Sequence, residues 1–343
     1  MTSVDLSRAL CSVYGEDVRP ARVLALKKDA SNRSYHRIHL PGRSPETLVV
    51  MELGGDPKKS EEATPGAPPE ELPFLAVGRL LASRGVPVPR VHAVDLDRGV
   101  LLLEDLGDET FERRLLATAA GDWFDLYAAA IDSLCALQRA TAQPDETCIA
   151  YGRAFDEKLL RWELDHFREW GLEAVRAEPV PPASRRALDE EFDRLAARIA
   201  ALPRRFVHRD FQSRNLMWTP RGIVLIDFQD ALLGPRVYDL VALLDDSYVD
   251  VLEPLRERLI ARWAGASDAR MEEAAAEFHL VAVQRKLKDA GRFVFIDRVK
   301  GNPSFLPHVP HSLELVRRSL RADPSLGRLA AILADLLPHP FAD

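Results

Sequence analysis

The chain has 343 residues, 47% of them hydrophobic, which is enough apolar material for one large domain or two ordinary ones. Its formal net charge is −7 and its basic residues are scattered among acids, which argues against a nucleic-acid binder because phosphate contacts need concentrated Lys and Arg. The N-terminus lacks a secretory signal pattern, no apolar run is long enough to cross a bilayer, and the three cysteines show no metal-ligand spacing. We therefore expect a soluble cytoplasmic protein with no nucleic-acid or membrane partner.

The first third of the chain predicts a small antiparallel sheet. Apolar segments with β-branched residues alternate here with turns rich in Pro, Gly and Ser, a pattern typical of short strands. The predicted elements are a helix over 4–14, strands over 23–27, 34–40 and 47–53, an exposed loop over 54–72, a helix over 72–83, and strands over 91–94 and 100–103.

The apolar spacing becomes helical from Trp123 onward. Two stripes, one beginning at Trp123 and one running from Phe155 to Trp170, recur at the period of a helix face. Ser184 is the predicted N-cap of the helix that leads towards residue 200. Further helices are predicted over about 237–244, 251–264, 268–290, 311–321 and 325–337.

The segment 206–228, FVHRDFQSRNLMWTPRGIVLIDF, predicts a β-hairpin, because two apolar runs flank the turn 219–222. Asp210 and Asn215 precede the hairpin and Asp227 closes its second strand, so folding brings the three side chains to one mouth. Phosphoryl transfer needs such a set. Asn215 and Asp227 offer the oxygen ligands that Mg²⁺ prefers, and Asp210 would accept the proton of an attacking hydroxyl.

Two motifs in this region resemble the paired catalytic and metal loops of the kinase superfamily: HRDFQSRNLMW, residues 208–218, and IDFQDALLGPRVYDL, residues 226–240. They look more like the aminoglycoside phosphotransferase branch than the protein kinases, and within that branch most like the bacterial cell-wall amino-sugar kinases. The resemblance implies that ATP, with Mg²⁺, phosphorylates the anomeric hydroxyl of N-acetylmuramate or N-acetylglucosamine in peptidoglycan sugar recycling. Solvated strand-end acids are the structural alternative.

The resemblance also implies an α+β, bilobal protein-kinase-like fold with a small antiparallel-sheet N-terminal lobe and a mostly helical C-terminal lobe. Residues 1–107 would form the nucleotide-binding lobe and hinge, and residues 108–343 the helical lobe with the catalytic loops and the substrate site. Backbone groups near Glu104 and Leu106 would contact adenine, although a plain strand end gives the same letters. We expect a monomer whose partners are small-molecule sugar and nucleotide substrates.

The phosphate-binding part of the predicted sheet departs from the kinase pattern. The third strand carries Met51 near the place where kinases have a phosphate-binding Lys. Arg33, Arg37 or Lys28 would supply that charge from a neighbouring segment, or nucleotide binding is weakened. The small polar loop before the second strand lacks the usual glycines, and an ordinary hairpin loop is the alternative to a phosphate site. The candidate nucleotide ligands in this loop are Ser31, Asn32, Arg33 and Ser34.

Five residues are candidates for the sugar site. Glu163 and His166 suit a sugar because acids bind ring hydroxyls and aromatic faces stack on sugar C–H groups, with ordinary helix packing as the alternative. Arg285, Lys288 and Arg292, at the end of a predicted helix, would meet a substrate carboxylate or phosphate. Basic residues that complement a helix dipole give the same pattern.

Three residues are assigned supporting roles. His208 would support the catalytic loop without transferring protons. Arg214 would contact phosphate or pair with a surface acid. Asp239 would accept backbone hydrogen bonds from the catalytic loop, with an ordinary first-turn acid as the alternative.

Two rival functions remain open from the sequence. The first is a kinase for another small alcohol, such as an aminoglycoside, choline, homoserine or a different sugar. The second is a catalytically silent nucleotide-binding scaffold, which the missing strand Lys favours and the intact Asp210, Asn215 and Asp227 oppose.

Overall fold

The computed structural model describes residues 6–26, 33–54, 70–267 and 269–337. The strands are β1 (Arg22–Ala25), β2 (Ser34–His39), β3 (Thr47–Glu52), β4 (Val91–Asp95), β5 (Val100–Glu104), β6 (Arg204–Val207), β7 (Leu216–Thr219), β8 (Gly222–Leu225) and β9 (Leu232–Pro235). The α-helices are α1 (Ser7–Tyr14), α2 (Pro73–Ser83), α3 (Phe111–Leu116), α4 (Trp123–Ala140), α5 (Glu157–Phe167), α6 (Ala174–Arg176), α7 (Pro182–Ala200), α8 (Tyr238–Leu244), α9 (Glu253–Gly265), α10 (Met271–Lys300), α11 (Val309–Ala322) and α12 (Gly327–Leu336).

The first five strands form one antiparallel sheet in the order β1-β2-β3-β5-β4, which confirms the predicted N-terminal sheet. Successive side chains along a strand point to opposite faces, so each strand serves two cores. Leu48 and Val50 pack under α1 in a small core on one face, whereas Met51 lies on the other face, in the main core with α2. Each face therefore has its own helix.

The remainder is mostly helical and contains the main core. Buried apolar residues of α4, α5, α7, α8 and α10 form one cluster, which is continuous with the Met51 face of the sheet. Helix α10 is 30 residues long and packs against α5, α8, α9 and α11. The expected α+β fold, with a small sheet followed by a helical region, is confirmed. Across the described ranges, no helix has the length and apolar character needed to span a membrane.

Two predicted helix boundaries are wrong. The helix predicted over 268–290 continues to Lys300, where Gly301 adopts a left-handed φ of 65° and ends it. The other error concerns α7, which begins at Pro182 without a side-chain cap, so Ser184 lies inside the first turn. Proline is favoured at this position because its missing N–H would have no partner within the helix.

Candidate active site

The hairpin predicted around the turn 219–222 is confirmed: β7 pairs with β8 in antiparallel register, with Thr219 opposite Gly222. Gly222 has a φ of 104°, which favours glycine at this end of the turn. The hairpin is tied to its surroundings by two backbone bonds, from Trp218 N–H to the Glu109 carbonyl at 2.7 Å and from Leu225 N–H to the Pro87 carbonyl at 2.9 Å. It therefore has a fixed position against the segment that links the sheet to the helices.

The structure brings Asp210, Asn215 and Asp227 together. The side-chain amide of Asn215 donates to the Asp210 carbonyl at 2.9 Å, and Ile226 N–H donates to the Asn215 carbonyl at 3.1 Å, immediately before Asp227. Because the Asn215 amide nitrogen is engaged, its side-chain oxygen is the atom oriented for a cation. The Asp210 side chain is 30% exposed, which leaves it accessible to a substrate.

The backbone is unusual at both loops. Arg209 has a φ of 79° and Asp227 a φ of 64°, the left-handed region that residues other than glycine rarely adopt. Each such residue costs about 1–3 kcal/mol and persists only where its surroundings hold it. The strain lies directly beside the two proposed functional carboxylates.

Asp239 anchors the backbone of the catalytic loop. Its carboxylate accepts backbone hydrogen bonds from His208 N–H at 2.7 Å and Arg209 N–H at 3.0 Å. Complete burial raises the pKa of Asp239 to about 7, while these two bonds favour its charged form and act in the opposite direction. The Asp239 carboxylate thus holds the strained backbone at Arg209 by accepting hydrogen bonds from two backbone N–H groups.

Asp246 is a supporting residue that the sequence analysis missed. Its carboxylate accepts from Ser213 N–H at 2.8 Å, within the catalytic loop, and from Tyr248 N–H at 3.0 Å. The only sequence signal is position, since Asp245 and Asp246 are acids that directly follow the apolar helix α8. Asp246 is almost completely buried, so its bonds to the loop are shielded from water.

Glu163 does not line an open sugar site, so that prediction is wrong. Its side chain is 0% exposed and pairs with the buried guanidinium of Arg209 at 3.0 Å. Gln284 of α10 donates to the second carboxylate oxygen at 2.7 Å. Arg209 is part of the catalytic loop, so Glu163 supports the loop through a buried ion pair instead of facing the substrate.

His208 and Arg214 also pack within the protein. His208 is fully buried with its ring edge-on to Phe211, and burial lowers the pKa of His208 to about 4, so the imidazole is neutral at pH 7. Arg214 donates to Glu112 at 2.9 Å and lies over the Tyr248 ring, 3.5 Å from its centroid. Of the two roles considered for Arg214, this geometry favours pairing with an acid.

Asp227 has the surroundings of a cation ligand. Burial and the nearby Asp210 charge raise the pKa of Asp227 to about 6, while Gln229 and Arg33 act to lower it. Solvent still reaches 44% of the side chain, so the carboxylate is open to a ligand. A cation here would relieve the repulsion from Asp210, and hard carboxylate and amide oxygens suit Mg²⁺.

The magnesium ligand set is small on the protein side. Within the described ranges, no three His, Cys, Asp or Glu side chains converge on a metal position. Asp227 and Asn215 would provide two oxygen ligands, and Mg²⁺ commonly completes its shell with substrate phosphates and water. The residues present therefore fit a magnesium ion that is delivered with a nucleotide.

The nucleotide candidates are only partly described. Ser31, Asn32 and Lys28 lie outside the described residues, whereas Arg33 and Ser34 lie at the start of β2. The Arg33 guanidinium approaches the Asp227 carboxylate to 3.9 Å.

Glu104 ends β5, and Leu106 follows it in the link. The Glu104 carboxylate accepts from Arg221 of the hairpin turn at 2.8 Å. The adenine contacts of these two residues stay a prediction.

The three predicted basic ligands on α10 have different surroundings. Arg285 is almost completely buried, donates to the Arg209 carbonyl at 2.7 Å and lies 3.5 Å from the Asp210 carboxylate. Lys288 is buried with its ammonium 3.4 Å from Asp289. Although burial opposes it, neighbouring Lys and Arg charges hold the pKa of Asp289 well below its usual range, so this carboxylate is charged. It is shared between Lys286, at 2.6 Å, and Lys288.

Arg292 lies instead at an aromatic cavity of about 450 Å³ between α5 and α10. Its guanidinium is 5.1 Å from the centre of the Phe295 ring, and His166 stacks on Trp162 at 5.5 Å. The cavity is lined by Trp162, Asp165, His166, Arg168, Glu169, Trp170, Arg292 and Phe295. His166 and Arg292 therefore line the same cavity, whereas Glu163 does not line it.

Known proteins resemble this chain along most of its length. The model of the phosphotransferase enzyme family matches residues 22–278. An N-acetylmuramate/N-acetylglucosamine kinase from Pseudomonas aeruginosa is 34% identical over 332 residues, which cover 94% of this chain and 90% of that protein. A kinase of the same name from Neisseria meningitidis is 33% identical over 285 residues, 79% of this chain and 82% of that protein.

Solved structures confirm the kinase-like fold. Choline kinase LicA from Streptococcus pneumoniae has a TM-score of 0.59 at 13% identity, over 87% of this chain and 94% of that chain. A thermostable mutant of an aminoglycoside phosphotransferase, in complex with ADP and hygromycin B, has a TM-score of 0.55 at 15% identity, over 92% of this chain and 98% of that chain. At these identities the likeness shows the fold alone.

Proposed function

This chain belongs to the phosphotransferase enzyme family, and from that premise we propose that it transfers the γ-phosphoryl group of ATP to the anomeric, C1 hydroxyl of N-acetylmuramate and N-acetylglucosamine. The observation that carries the proposal is the convergence of an accessible Asp210 with Asn215 and Asp227. It is supported by two relatives that are named N-acetylmuramate/N-acetylglucosamine kinase. We place the reaction in the cytoplasmic recycling of peptidoglycan sugars by a monomer, with residues 1–107 as the nucleotide lobe and 108–343 as the acceptor lobe.

Asp210 would act on the attacking hydroxyl. The sugar oxygen forms the new O–P bond, the bond from the γ-phosphorus to the oxygen of ADP breaks, and the hydroxyl proton passes to the Asp210 carboxylate. This requires the acceptor oxygen within about 3 Å of the carboxylate. An anomeric hydroxyl is more acidic than an ordinary alcohol because the ring oxygen withdraws electrons, so one carboxylate base is sufficient.

The other groups would position Asp210 and neutralise the charge of the phosphates. Asp227 and the side-chain oxygen of Asn215 would hold Mg²⁺, which supplies charge neutralisation on the phosphates when it is bound. Arg285 fixes Asp210 from the side through its 3.5 Å contact, while its bond to the Arg209 carbonyl holds the loop. These contacts keep the base at one position during the transfer.

The cavity on α10 would receive the far end of the sugar. Arg292 lies seven residues after Arg285 on the same helix, a rise of about 10 Å that matches the length of one substituted sugar ring. Seven residues are almost two full turns, so both side chains leave the helix in nearly the same direction. A sugar with C1 at Asp210 would therefore direct its remote substituent towards the cavity.

Arg292 is the best candidate to bind the lactyl carboxylate of N-acetylmuramate. Arg285 contacts Asp210 in the catalytic loop and Lys288 lies beside Asp289, and neither of them lines the aromatic cavity. Arg292 lies at the cavity wall, where the His166 ring stacks on Trp162. Aromatic faces for the sugar ring and a guanidinium for the carboxylate fit an acidic amino sugar.

The test follows ATP consumption with Mg²⁺ on N-acetylmuramate, N-acetylglucosamine, neutral hexoses, choline and an aminoglycoside, with phosphorus NMR of any product. We expect a sugar 1-phosphate and loss of the reducing end from the two N-acetylated sugars. Phosphate on another hydroxyl would keep the enzyme class and overturn the anomeric assignment. Turnover of choline or the aminoglycoside alone would support the rival kinase, and nucleotide binding without any product would support the silent scaffold.

The assignment of Arg292 has its own test. Arg292→Ala should raise KM for N-acetylmuramate about ten-fold and leave KM for N-acetylglucosamine, which lacks the carboxylate, within two-fold. The matched control is Arg298→Ala, an exposed arginine further along the same helix. Equal losses for the two sugars would contradict a role in carboxylate binding.

A further inference from the structure

We propose that Arg33 provides the phosphate-binding cation that the third strand lacks, and that it does so from the start of β2 across to position 51. The inference rests on the kinase reaction proposed above. It concerns the nucleotide side of that site and leaves the identity of the sugar open. Four observations carry it: the strand register, the burial of Met51, the partners of Arg37 and the position of Arg33 beside Asp227.

The register of β2 and β3 places Arg33 on the correct face of the sheet. Tyr35 lies opposite Met51, so these two side chains share a face. Arg33 directly precedes β2 and is two residues before Tyr35, so the alternation of the strand, continued by one residue, puts its side chain on that face as well. Diagonal neighbours in an antiparallel pair are about 7–8 Å apart, a distance that a long side chain spans. Arginine at 33 can therefore bring its charge to the place that a Lys at position 51 would serve.

Position 51 itself is unsuited to a charged side chain. Its side chain is 0% exposed and belongs to the main core with α2. A charged group there would be buried among apolar side chains, which is costly without a partner. The phosphate-binding charge has to come from a neighbouring strand.

Arg37, the second candidate on this face, has other partners. Its guanidinium binds Asp105 at 2.7 Å and Asp108 at 3.0 Å, and donates to the Gly107 carbonyl at 3.1 Å. These contacts tie β2 to the link that follows β5. Arg37 would have to break this set of contacts to reach a phosphate.

Arg33 already lies where the phosphates are expected. Its guanidinium is 3.9 Å from the carboxylate of Asp227, the proposed magnesium ligand, and its side chain is 17% exposed. If Asp227 helps to hold the Mg²⁺ of a bound nucleotide, this guanidinium is close enough to contact the phosphates. Phosphate oxygens offer arginine a paired set of acceptors, which its planar guanidinium can bind with two parallel hydrogen bonds.

The experiment measures MgATP and adenosine dissociation constants by calorimetry for the wild type, Arg33→Ala and Arg33→Lys. Adenosine has no phosphates, so it reports the adenine site alone. The control is Arg43→Ala, which removes another arginine of the sheet region that pairs with Glu16 near the surface. Circular dichroism of each variant checks the fold.

We expect Arg33→Ala to weaken MgATP binding at least ten-fold with adenosine affinity unchanged, and Arg33→Lys to restore most of the loss. Steady-state kinetics should show a raised KM for ATP and an unchanged KM for the acceptor. Unchanged MgATP affinity in Arg33→Ala would overturn the inference, and so would an equal loss for adenosine. Because binding is measured without any sugar, this result is independent of which acceptor the enzyme uses.

Discussion

The catalytic loop and the link between the sheet and the helices are both fixed by charged side chains, but the charges at the link are more exposed to solvent. The loop around Asp210 is held by Asp239 and by the Glu163–Arg209 pair, all of them with fully buried side chains. The link is held by Arg37, which is 13% exposed and pairs both with the nearly buried Asp105 and with Asp108, which is 63% exposed. When a buried charge loses its partner, water cannot take the partner's place, whereas water can solvate an exposed charge that loses its partner.

The difference follows from what each part has to do. Proton transfer from the acceptor hydroxyl needs Asp210 within hydrogen-bond distance, so small displacements of the loop are costly. The nucleotide side would bind a flexible, highly charged chain of phosphates, for which a long arginine side chain such as that proposed for Arg33 would suffice. We therefore expect substitutions beneath the catalytic loop to cost more than substitutions at the link.

The largest effect should come from the base itself. Asp210→Asn should lower kcat by about 10³-fold, because the hydroxyl then has no group to accept its proton, and leave thermal unfolding unchanged. Kinetics with N-acetylglucosamine and a melting curve measure both. Asp132→Asn, on the exposed face of α4, is the control. A residual kcat within ten-fold of the wild type would remove Asp210 as the base.

The second prediction breaks the buried support. Glu163→Gln should lower the free energy of unfolding by about 3 kcal/mol, because the Arg209 charge stays buried without its ionic partner. Urea unfolding measures the loss. Glu190→Gln, which breaks the exposed pair with Arg328, should change stability by less than about 1 kcal/mol. A raised KM for the sugar with unchanged stability would return Glu163 to the substrate site.

The third prediction concerns pH and His208. Burial lowers the pKa of His208 from 6.5 to about 4, so between these values the unfolded chain binds a proton that the folded chain does not. Stability from this group is therefore complete above pH 6.5 and is lost as the pH falls to about 4, a difference on the order of 3 kcal/mol. Asp210 opposes the shift and Arg285 reinforces it.

His208→Gln isolates that contribution. Asp227 and Asp239 have raised pKa values and change stability in the opposite direction over part of this range, but they are present in both proteins. The stability difference between wild type and variant, measured by urea unfolding at pH 7.5 and pH 4.5, should therefore shrink at the lower pH. Parallel pH profiles would show that His208 does not titrate in this way.

The smallest effect is expected at the link. Arg37→Ala should lower the free energy of unfolding by about 1–2 kcal/mol, since its contacts are partly exposed, and raise KM for ATP a few-fold by loosening the segment beside the expected adenine contacts. Arg43→Ala is again the control. A loss as large as that of Glu163→Gln would remove the contrast between the two regions.

Local patterns made the fold largely predictable. The sheet and the hairpin depend on alternation and turn residues within short segments, which the sequence shows directly. The end of α10 was missed because Gly291 and the basic residues around it resemble a helix terminus. Gly291 serves packing instead, since a Cβ at this position would lie 2.7 Å from the Phe167 backbone.

The site was predictable only where its parts are close in sequence. Asp210 and Asn215 directly precede one hairpin and Asp227 directly follows it, so their spacing was informative. Glu163 was misjudged because its partner Arg209 is distant in the chain, and no spacing rule connects them. Asp246 was missed for the same reason, since its bond to Ser213 depends on how α8 packs against the loop.

One aromatic contact connects the proposed metal ligand Asp227 to helix α2. Phe228, directly after Asp227, stacks on Phe74 of α2 with ring centres 5.0 Å apart, and a Cβ at Gly78 would lie 3.1 Å from the Phe228 ring. A small apolar compound that separated the two rings would displace the backbone that carries Asp227. Such a compound would need no resemblance to ATP or to a sugar, but because it would displace a proposed ligand of MgATP, bound MgATP would weaken its binding to the same degree.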